Sequence, residues 1–308
     1  MTKRRVPDLS VNVAGIVFRS PLIAASGTFG YGTEYLELAD YEAIGGIAVK
    51  GLYLEPREGC APPRIWETPS GMLNAIGLQG VGIERFVEEK MPRLRELNTR
   101  VLVNICGSRI EEYAELAGIL DSVDGVSAIE LNISCPNVTE GGILFGCDPA
   151  MAAQVTAAVR ERTKRPIIPK LSPNVTDIAT VARSVESAGA DAISLINTMP
   201  AMAIDVETRR PRLSNVVGGL SGPAIRPIAV RLVYQAARAV QIPVIGIGGI
   251  TSHEDALEFI LAGASAVQIG TMGFVDPSVW RKTLDGLREY CRRHDIGSID
   301  DLTGALSP

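Results

Sequence analysis

The chain has 308 residues, of which 46% are hydrophobic and 21% are charged, and its formal net charge at pH 7 is −5. A disordered chain would be poor in apolar residues, and a nucleic-acid-binding protein would present a basic face, so the composition disfavours both classes. No stretch approaches the roughly 18 consecutive apolar residues of a membrane-spanning helix. The length allows either two domains of ordinary size or one α/β barrel.

The cysteine pattern gives no sign of a disulfide framework or a metal site. The chain has five cysteines, an odd number, at positions 60, 106, 135, 147 and 291. No two of them are spaced as Cys-x-x-Cys, the arrangement that is typical of zinc and iron–sulfur sites. We therefore expect a cytoplasmic protein with no bound metal.

Short apolar runs that end in Gly, Ser, Thr or Asn recur along the whole chain. Each run is nearly continuously apolar and rich in β-branched residues, which is typical of buried parallel strands. The eight predicted strands lie within residues 21–27, 45–51, 101–107, 128–134, 166–172, 192–198, 243–249 and 266–271.

The segments between these runs carry apolar residues at helical spacing. Asp148 and Asp276 each precede a proline, which predicts an N-cap before a first-turn proline. Gly189 and Gly263 stand where a helix commonly ends in glycine. The predicted helices cover residues 33–39, 83–97, 110–123, 149–163, 177–189, 225–240, 253–263 and 277–294.

Eight strands that alternate with helices predict a (β/α)₈ TIM barrel. No linker rich in Pro, Gly or Ser interrupts the alternation, so we expect a single domain over residues 1–308. Residues 9–19 alternate in polarity around a central turn, which predicts an N-terminal β-hairpin that closes the bottom of the barrel. The long connections 52–82 and 199–224, and the shorter 135–147, are expected on the C-terminal face, where such barrels build their active sites.

Polar side chains end several of the predicted strands. A buried lysine or asparagine is costly unless it is paired, although any single asparagine could instead serve a loop backbone group. Two lysines and three asparagines together indicate a pocket for an anionic, planar ligand that forms hydrogen bonds. The residues are Lys50, Asn104, Asn132, Lys170, Asn197 and the adjoining Thr198.

The last two predicted strands end in glycines. Glycine lets the backbone approach a ligand closely, and free N–H groups at a helix start bind phosphate. Barrels often hold phosphate after strands seven and eight, so we expect a phosphate site here, near the helix that starts at Ser252 or His253. The glycine-rich segments 26–32 and 74–82 would add backbone amides at the same end of the barrel.

Cys135 begins the loop after the fourth predicted strand, on the expected active face. If Lys50 and Lys170 lie near it, their charges would lower the pKa of the thiol and make a thiolate base available. The chain has only two histidines, at a helix start and in the basic C-terminal tail, so a Ser/His/Asp triad is not indicated.

With these motifs assembled, the sequence resembles the class 1 dihydroorotate dehydrogenases, flavin enzymes of pyrimidine synthesis, and in particular the class 1B catalytic subunit. The resemblance runs from about residue 9 to residue 281. Its motifs are SGTFGYG (26–32), VKG (49–51), NAIGLQ (74–79), NISCPNV (132–138), PKLSPN (169–174), INT (196–198), GGLSGPAIRPIA (218–229), IGIGGI (245–250) and QIGTMGF (268–274).

The resemblance implies an FMN-bearing barrel that oxidises dihydroorotate to orotate. It assigns to Cys135 the role of the base that removes the C5 proton, while a hydride passes from C6 to flavin N5. The substrate-binding residues that it implies are Lys50, Asn74, Ala75, Ile76, Gly77, Leu78, Asn132, Asn197 and Thr198. The FMN-binding residues that it implies are Ser26, Lys50, Gly51, Asn104, Asn132, Lys170, Ile196, Gly222, Gly248, Gly249, Gly270 and Thr271, with the later glycines at the phosphate.

The resemblance also separates the subclasses of the family. Membrane-associated class 2 enzymes have serine at the position of Cys135 and an N-terminal apolar extension. Residues 138–148 and 204–211 resemble class 1B, in which a second subunit carries FAD and an iron–sulfur cluster and delivers electrons to NAD⁺. This implies a homodimer of the catalytic chain within a heterotetramer. The fumarate-reducing class 1A remains open, and Cys147 stands where threonine is expected.

Two further interpretations remain open. One is a flavin-free barrel lyase or isomerase that acts on a phosphorylated metabolite, with Lys170 as a Schiff-base nucleophile. The other is a non-catalytic flavin-binding subunit, because a fold alone does not determine function. Neither interpretation explains the whole set of residues around Cys135.

Overall fold

The computed structural model describes residues 6–134 and 145–307. Eight parallel strands form a closed barrel, and an antiparallel hairpin precedes it, so the predicted (β/α)₈ barrel with an N-terminal hairpin is confirmed. The strands in chain order are β1 (Val11–Val13), β2 (Ile16–Phe18), β3 (Leu22–Ala24), β4 (Gly46–Ala48), β5 (Ile65–Thr68), β6 (Gly71–Asn74), β7 (Arg100–Ile105), β8 (Val126–Leu131), β9 (Ile167–Leu171), β10 (Ile193–Leu195), β11 (Met199–Met202), β12 (Ile204–Asp205), β13 (Arg210–Pro211), β14 (Val217–Ser221), β15 (Val244–Ile247) and β16 (Ala266–Ile269).

The barrel consists of β3, β4, β7, β8, β9, β10, β15 and β16, in that order around the ring. The ring closes at β3, where Ile23 pairs with Gly46 of β4 on one side and with Gln268 of β16 on the other. Nearly every residue of these strands is buried, because side chains face either the barrel interior or the surrounding helices. This explains why the strands appear in the sequence as continuous apolar runs.

The N-terminal hairpin lies at the bottom of the barrel, as the sequence predicts. Its turn residues Ala14 and Gly15 both have positive φ, 53° and 79°, which suits a tight two-residue hairpin turn. Phe18 of β2 is fully buried, and a Cβ on Gly46 would lie 2.7 Å from its ring. Gly46 begins β4, so the hairpin packs beneath the amino ends of the barrel strands.

The helices follow the predicted segments closely. Asp148 caps its helix by accepting a hydrogen bond from Met151 N at 2.9 Å, and Gly263 ends another helix with φ 120°. They are α1 (Ile83–Arg85) and α2 (Met91–Arg95), joined by a π-helical turn (Phe86–Lys90), α3 (Ile110–Asp121), α4 (Pro149–Arg160), α5 (Ile178–Ser187), α6 (Arg226–Ala237), α7 (His253–Ala262), α8 (Met272–Val275) and α9 (Val279–Arg293), with 3₁₀ turns at Pro223–Ile225 and Ile299–Leu302.

Two helix predictions are wrong. Residues 33–39 form turns, because the Glu34 carboxylate accepts the backbone N–H of Tyr31 and of Thr33, each at 3.0 Å. Asp276 does not cap the last long helix, because its carboxylate accepts a hydrogen bond from Ser278 N at 2.9 Å. The chain makes that turn first, and α9 therefore begins two residues later than the cap predicts.

The two long connections, 52–82 and 199–224, join in an antiparallel sheet that the sequence does not predict. The strand order of this sheet is β11-β14-β6-β5, and β12 pairs with β13 beside it. Asn74, at the end of β6, is opposite Gly219 of β14. The sheet therefore ties two barrel loops together at the C-terminal face. Among the described residues, no helix is both long enough and apolar enough to cross a membrane.

Candidate active site

Lys170 is a buried cation at the carboxyl end of β9. Lys170 is 5% exposed, and its ammonium donates a hydrogen bond to Ser26 Oγ at 3.4 Å. Within residues 6–134 and 145–307, no carboxylate forms an ion pair with it. A buried charge with so little compensation is costly, which indicates that the site is built to receive an electron-rich ligand.

Lys50 follows β4 and is half-buried. Burial lowers the pKa of its ammonium below 10.5, the nearby charge of Arg64 lowers it further, and Glu34 opposes the shift. Two cations close to each other favour an anion between or beside them. Lys50 therefore fits the predicted anionic ligand.

Three asparagines, one in β7 and two just after β8 and β10, form one connected group, as predicted. Asn132 Nδ2 donates to Asn104 Oδ1 at 3.5 Å, and Asn197 Nδ2 donates to Asn132 Oδ1 at 3.4 Å. Asn197 Oδ1 in turn accepts the backbone N–H of Thr198 at 2.8 Å. Ser134 joins the group, accepting from Asn197 Nδ2 at 2.7 Å.

The segment 74–78 lies against this group through two glycines. Asn74 Nδ2 donates to Gly219 O at 3.2 Å, and a Cβ on Gly219 would collide with Thr198 Oγ1. Since both residues touch Gly219, Asn74 of the sheet and Thr198 of the barrel are neighbours.

Gly51 makes the second connection of this segment to the barrel. A Cβ on Gly51 would lie 3.2 Å from Asn104 Oδ1 and 3.7 Å from Leu78 Cδ2. Between Asn74 and Leu78, Ala75 is buried, and the carbonyl of Ile76 accepts a hydrogen bond from the backbone N–H of Cys60 at 2.9 Å. Gly77 has positive φ, 71°, and completes the turn.

The glycines after the last strands form a second group beside the first. A Cβ on Gly248 would lie 3.5 Å from Ile196 Cγ1, and a Cβ on Gly249 would lie 2.8 Å from Gly222 O. Thr271 Oγ1 donates to Ser221 Oγ, next to Gly222, at 2.8 Å.

Gly270 differs from its neighbours, because a Cβ there would make only ordinary contacts, the shortest 3.5 Å, to Ala25 and Thr28. Gly249 has φ 75°, so its backbone requires glycine. The backbone of Gly270 carries no such requirement.

The start of α7 is less open than the sequence suggests. The Asp255 carboxylate accepts from the backbone N–H of Thr251 at 2.8 Å and of Ser252 at 3.1 Å, and it pairs with Arg226. Ser252 Oγ accepts from Asp255 N at 3.3 Å, which completes a capping box. The N–H groups of Thr251, Ser252 and Asp255 are used in this way, and the glycine loops beside the helix supply further candidates for the predicted phosphate site.

The sequence reasoning missed a buried polar cluster inside the barrel. Glu130 of β8 is fully buried, and its Oε2 accepts a hydrogen bond from Asn104 Nδ2 at 2.6 Å. Its Oε1 accepts from Ser194 Oγ at 2.9 Å and from Gln268 Nε2 at 2.7 Å. The signal was an acidic residue in the middle of the apolar run at 128–134.

Cys135, the predicted base, lies outside the described residues. The structure describes the chain up to Ser134, whose hydroxyl donates to Asn132 Oδ1 at 3.3 Å. Cys147 Sγ lies 3.9 Å from Ser172 Oγ, and in the described structure it forms no hydrogen bond with the three asparagines. In the described part of the chain, no group of three or more His, Cys, Asp or Glu side chains could hold a metal ion.

Comparison with known proteins shows the family to which the chain belongs. The sequence profile of the family described as "Dihydroorotate dehydrogenase" matches residues 8–291. The chain belongs to the dihydroorotate dehydrogenase family. Two curated relatives are named "Dihydroorotate dehydrogenase B (NAD(+)), catalytic subunit". The one from Pelobacter propionicus is 58% identical and the one from Geobacter sp. strain M21 is 56% identical, each over 300 residues that cover 97% of this chain and 99% and 98% of theirs.

A solved structure supports the fold independently. The crystal structure of DHODH from Eimeria tenella in complex with ferulenol superposes with a TM-score of 0.80, covering 99% of this chain and 90% of that one. Its sequence identity is 22%, so this similarity concerns the barrel architecture alone.

Dihydroorotate dehydrogenases are flavin-dependent oxidoreductases, and the residues present fit a flavin. The ring system of a flavin offers several acceptor atoms and becomes electron-rich on reduction. Lys170 supplies a buried charge, and the asparagines supply amide donors and acceptors. The backbone of Gly270 is accessible to a ligand, although neither its φ nor its contacts within the protein require glycine at this position.

Proposed function

We propose that this chain is the FMN-bearing catalytic subunit that oxidises dihydroorotate to orotate, and that a second subunit passes the electrons to NAD⁺. The observation that carries the proposal is Lys170, a buried ammonium that no carboxylate of the described residues pairs with, at the carboxyl end of a barrel of this family. The names of the relatives from Pelobacter propionicus and Geobacter support the NAD⁺-linked subclass.

The proposal assigns the flavin to one set of residues. Bound FMN would supply the acceptor, at N5, for the hydride from C6 of dihydroorotate. Lys170 places a positive charge in this site, which favours the negative charge of a reduced cofactor. The residues proposed to hold FMN are Ser26, Lys50, Gly51, Asn104, Asn132, Lys170, Ile196, Gly222, Gly248, Gly249, Gly270 and Thr271.

A second set is proposed to hold the substrate. Lys50 would bind the carboxylate of dihydroorotate, and amides would hold the polar groups of its ring. The Cys135 thiolate would accept the proton from C5, while the hydride from C6 passes to flavin N5. The residues proposed to hold the substrate are Lys50, Asn74, Ala75, Ile76, Gly77, Leu78, Asn132, Asn197 and Thr198.

The partner subunit would carry FAD and an iron–sulfur cluster. This part of the proposal rests on the class 1B resemblance and on the word "subunit" in the names of the relatives. We further propose a homodimer of this chain within a heterotetramer, a single domain over residues 1–308 and a cytoplasmic location.

Replacement of Cys135 by Ala tests the proposed base. A positioned general base contributes about 10²- to 10⁴-fold, so flavin reduction by dihydroorotate should slow by that factor while FMN remains bound. The rate is measured by anaerobic stopped-flow absorbance. Cys291→Ala is the matched control, because Cys291 is buried in α9, and the flavin of this variant should be reduced at the wild-type rate. Equal rates for Cys135→Ala and the control would remove Cys135 from this role.

A further inference from the structure

Glu130 has no role in the proposed chemistry, yet it lies at the centre of the polar groups inside the barrel. It is fully buried, and within the described part of the chain its carboxylate accepts three hydrogen bonds, all from neutral side chains. The donors come from three different strands: Asn104 from β7, Ser194 from β10 and Gln268 from β16. The carboxylate oxygens are the acceptors in all three contacts, and each of these side chains turns a donor toward them.

This requirement determines how the amide of Asn104 is oriented. Its Nδ2 lies 2.6 Å from Glu130 Oε2, so its Oδ1 points the other way, toward Asn132. An asparagine amide has one donor end and one acceptor end. Asn132 must therefore present its Nδ2 to Asn104, which leaves its Oδ1 to accept from Asn197.

The same orientation continues to the end of the group. Asn197 uses Nδ2 for Asn132 and Ser134, and its Oδ1 accepts the backbone N–H of Thr198. If the Asn104 amide turned over, acceptor would face acceptor at its contact with Glu130, and donor would face donor at its contact with Asn132. One carboxylate thus specifies the direction of three amides.

We propose that Glu130 is a positioning residue whose carboxylate sets the amide orientation of Asn104, Asn132 and Asn197. The proposal rests on the proposed function, in which Asn132 and Asn197 hold the substrate and Asn104 contacts FMN. Glu130 acts through these amides, and it presents them in one orientation before the ligand arrives. Preorganised donors and acceptors cost no rearrangement on binding.

The side-chain oxygen of Gln268 gives a reason why Glu130→Gln and Glu130→Leu should differ in effect. Gln268 Oε1 is buried and has no hydrogen-bond partner among the described residues. In Glu130→Gln, the new amide nitrogen can face Gln268, whose own amide turns over so that Oε1 accepts it. The remaining oxygen of residue 130 then still accepts from Asn104. Glutamine should therefore preserve the orientation, whereas leucine should abolish it.

The test measures orotate affinity in the FMN-loaded wild-type protein and its variants, by equilibrium titration of the flavin absorbance. Glu130→Leu should weaken orotate binding about tenfold or more, as expected when a buried amide loses its partner. Glu130→Gln should stay within about threefold of wild type. FMN stoichiometry and the midpoint of thermal unfolding are recorded for each variant, so that binding is compared only among folded, loaded proteins.

Ser194→Ala is the matched control, because it removes a donor to Oε1 and leaves the contact between Oε2 and Asn104 in place. Ser194→Ala should bind orotate with wild-type affinity, even if its midpoint of thermal unfolding falls as far as that of Glu130→Leu. If Glu130→Leu does not fold, Glu130→Asp replaces it. Aspartate keeps the charge but withdraws the acceptor from Asn104 by one methylene, and it should weaken orotate binding by a similar factor.

Three results would overturn the proposal. They are wild-type affinity in Glu130→Leu or Glu130→Asp, equal weakening in Ser194→Ala, and equal weakening in Glu130→Gln. Failure of the proposed function has a different signature, since the wild-type protein itself would then bind neither FMN nor orotate.

Discussion

Among the described residues, no carboxylate pairs with the buried Lys170 ammonium, so Lys170→Met should change stability and cofactor affinity in opposite directions. The residue is 5% exposed, and its one hydrogen bond within the described part of the chain, to the neutral Ser26 hydroxyl, is 3.4 Å long. Methionine has a similar length and no charge. We expect the FMN-free variant to be more stable than the FMN-free wild type, and we expect the variant to bind FMN more weakly.

The magnitudes follow from the burial of the ammonium. A buried ion costs several kcal/mol after relaxation, and one long hydrogen bond to a hydroxyl returns about 1 kcal/mol. The FMN-free variant should therefore gain about 1–3 kcal/mol, which raises Tm by about 2 °C per kcal/mol in a chain of this size. With FMN, the loss of a hydrogen bond from the charged ammonium to the flavin ring, about 1.5–3 kcal/mol, should lower the affinity about 10- to 100-fold.

Two measurements on the same preparations check both halves of this prediction. Circular dichroism of FMN-stripped protein gives Tm, and quenching of flavin fluorescence gives the Kd of FMN. Lys164→Met is the matched control, because Lys164 is exposed in the loop before β9, and both quantities should remain at their wild-type values. The reasoning is refuted if Lys170→Met lowers the stability of the FMN-free protein or leaves the FMN affinity unchanged.

Further predictions follow from the same site. Because burial and Arg64 lower the pKa of Lys50 below 10.5, orotate affinity should fall as pH rises through that lowered value, and Arg64→Gln should move the fall to higher pH. Superimposable pH profiles of the two proteins would contradict this. Gly270→Ala should have the Tm of the wild type but bind FMN more weakly. In Gly249→Ala the free energy of unfolding should fall by about 1 kcal/mol or more, because the φ of Gly249 is 75°. Equal thermal stability of the two variants would be contrary evidence. Co-expressed with its partner, the chain should reduce NAD⁺ with dihydroorotate, and alone it should not, so equal NAD⁺ reduction by the chain alone would argue against a partner.

The barrel could be predicted because its signal is local. Each barrel strand is buried on both sides, so it appears as one apolar run bounded by turn residues. The carboxyl ends of parallel strands meet at one face, which is why Lys50, Lys170 and the three asparagines could be assigned to one site before any distances were known.

The other features depend on partners that are remote in the sequence. The antiparallel sheet pairs Asn74 with Gly219, and its short strands carry no continuous apolar run that would predict them. Glu130 is satisfied by side chains from three other strands, so its neighbours in sequence gave no hint of its environment. Residues 33–39 have helical spacing, but contacts of Glu34 with nearby N–H groups stabilise turns instead.

Anaerobic titration of the purified chain with dihydroorotate tests the central claim most directly. The protein should be yellow with about one FMN per chain, and dihydroorotate should bleach the flavin absorbance with stoichiometric formation of orotate. A colourless protein that binds no added FMN, or a bound flavin whose spectrum dihydroorotate leaves unchanged, would contradict the account.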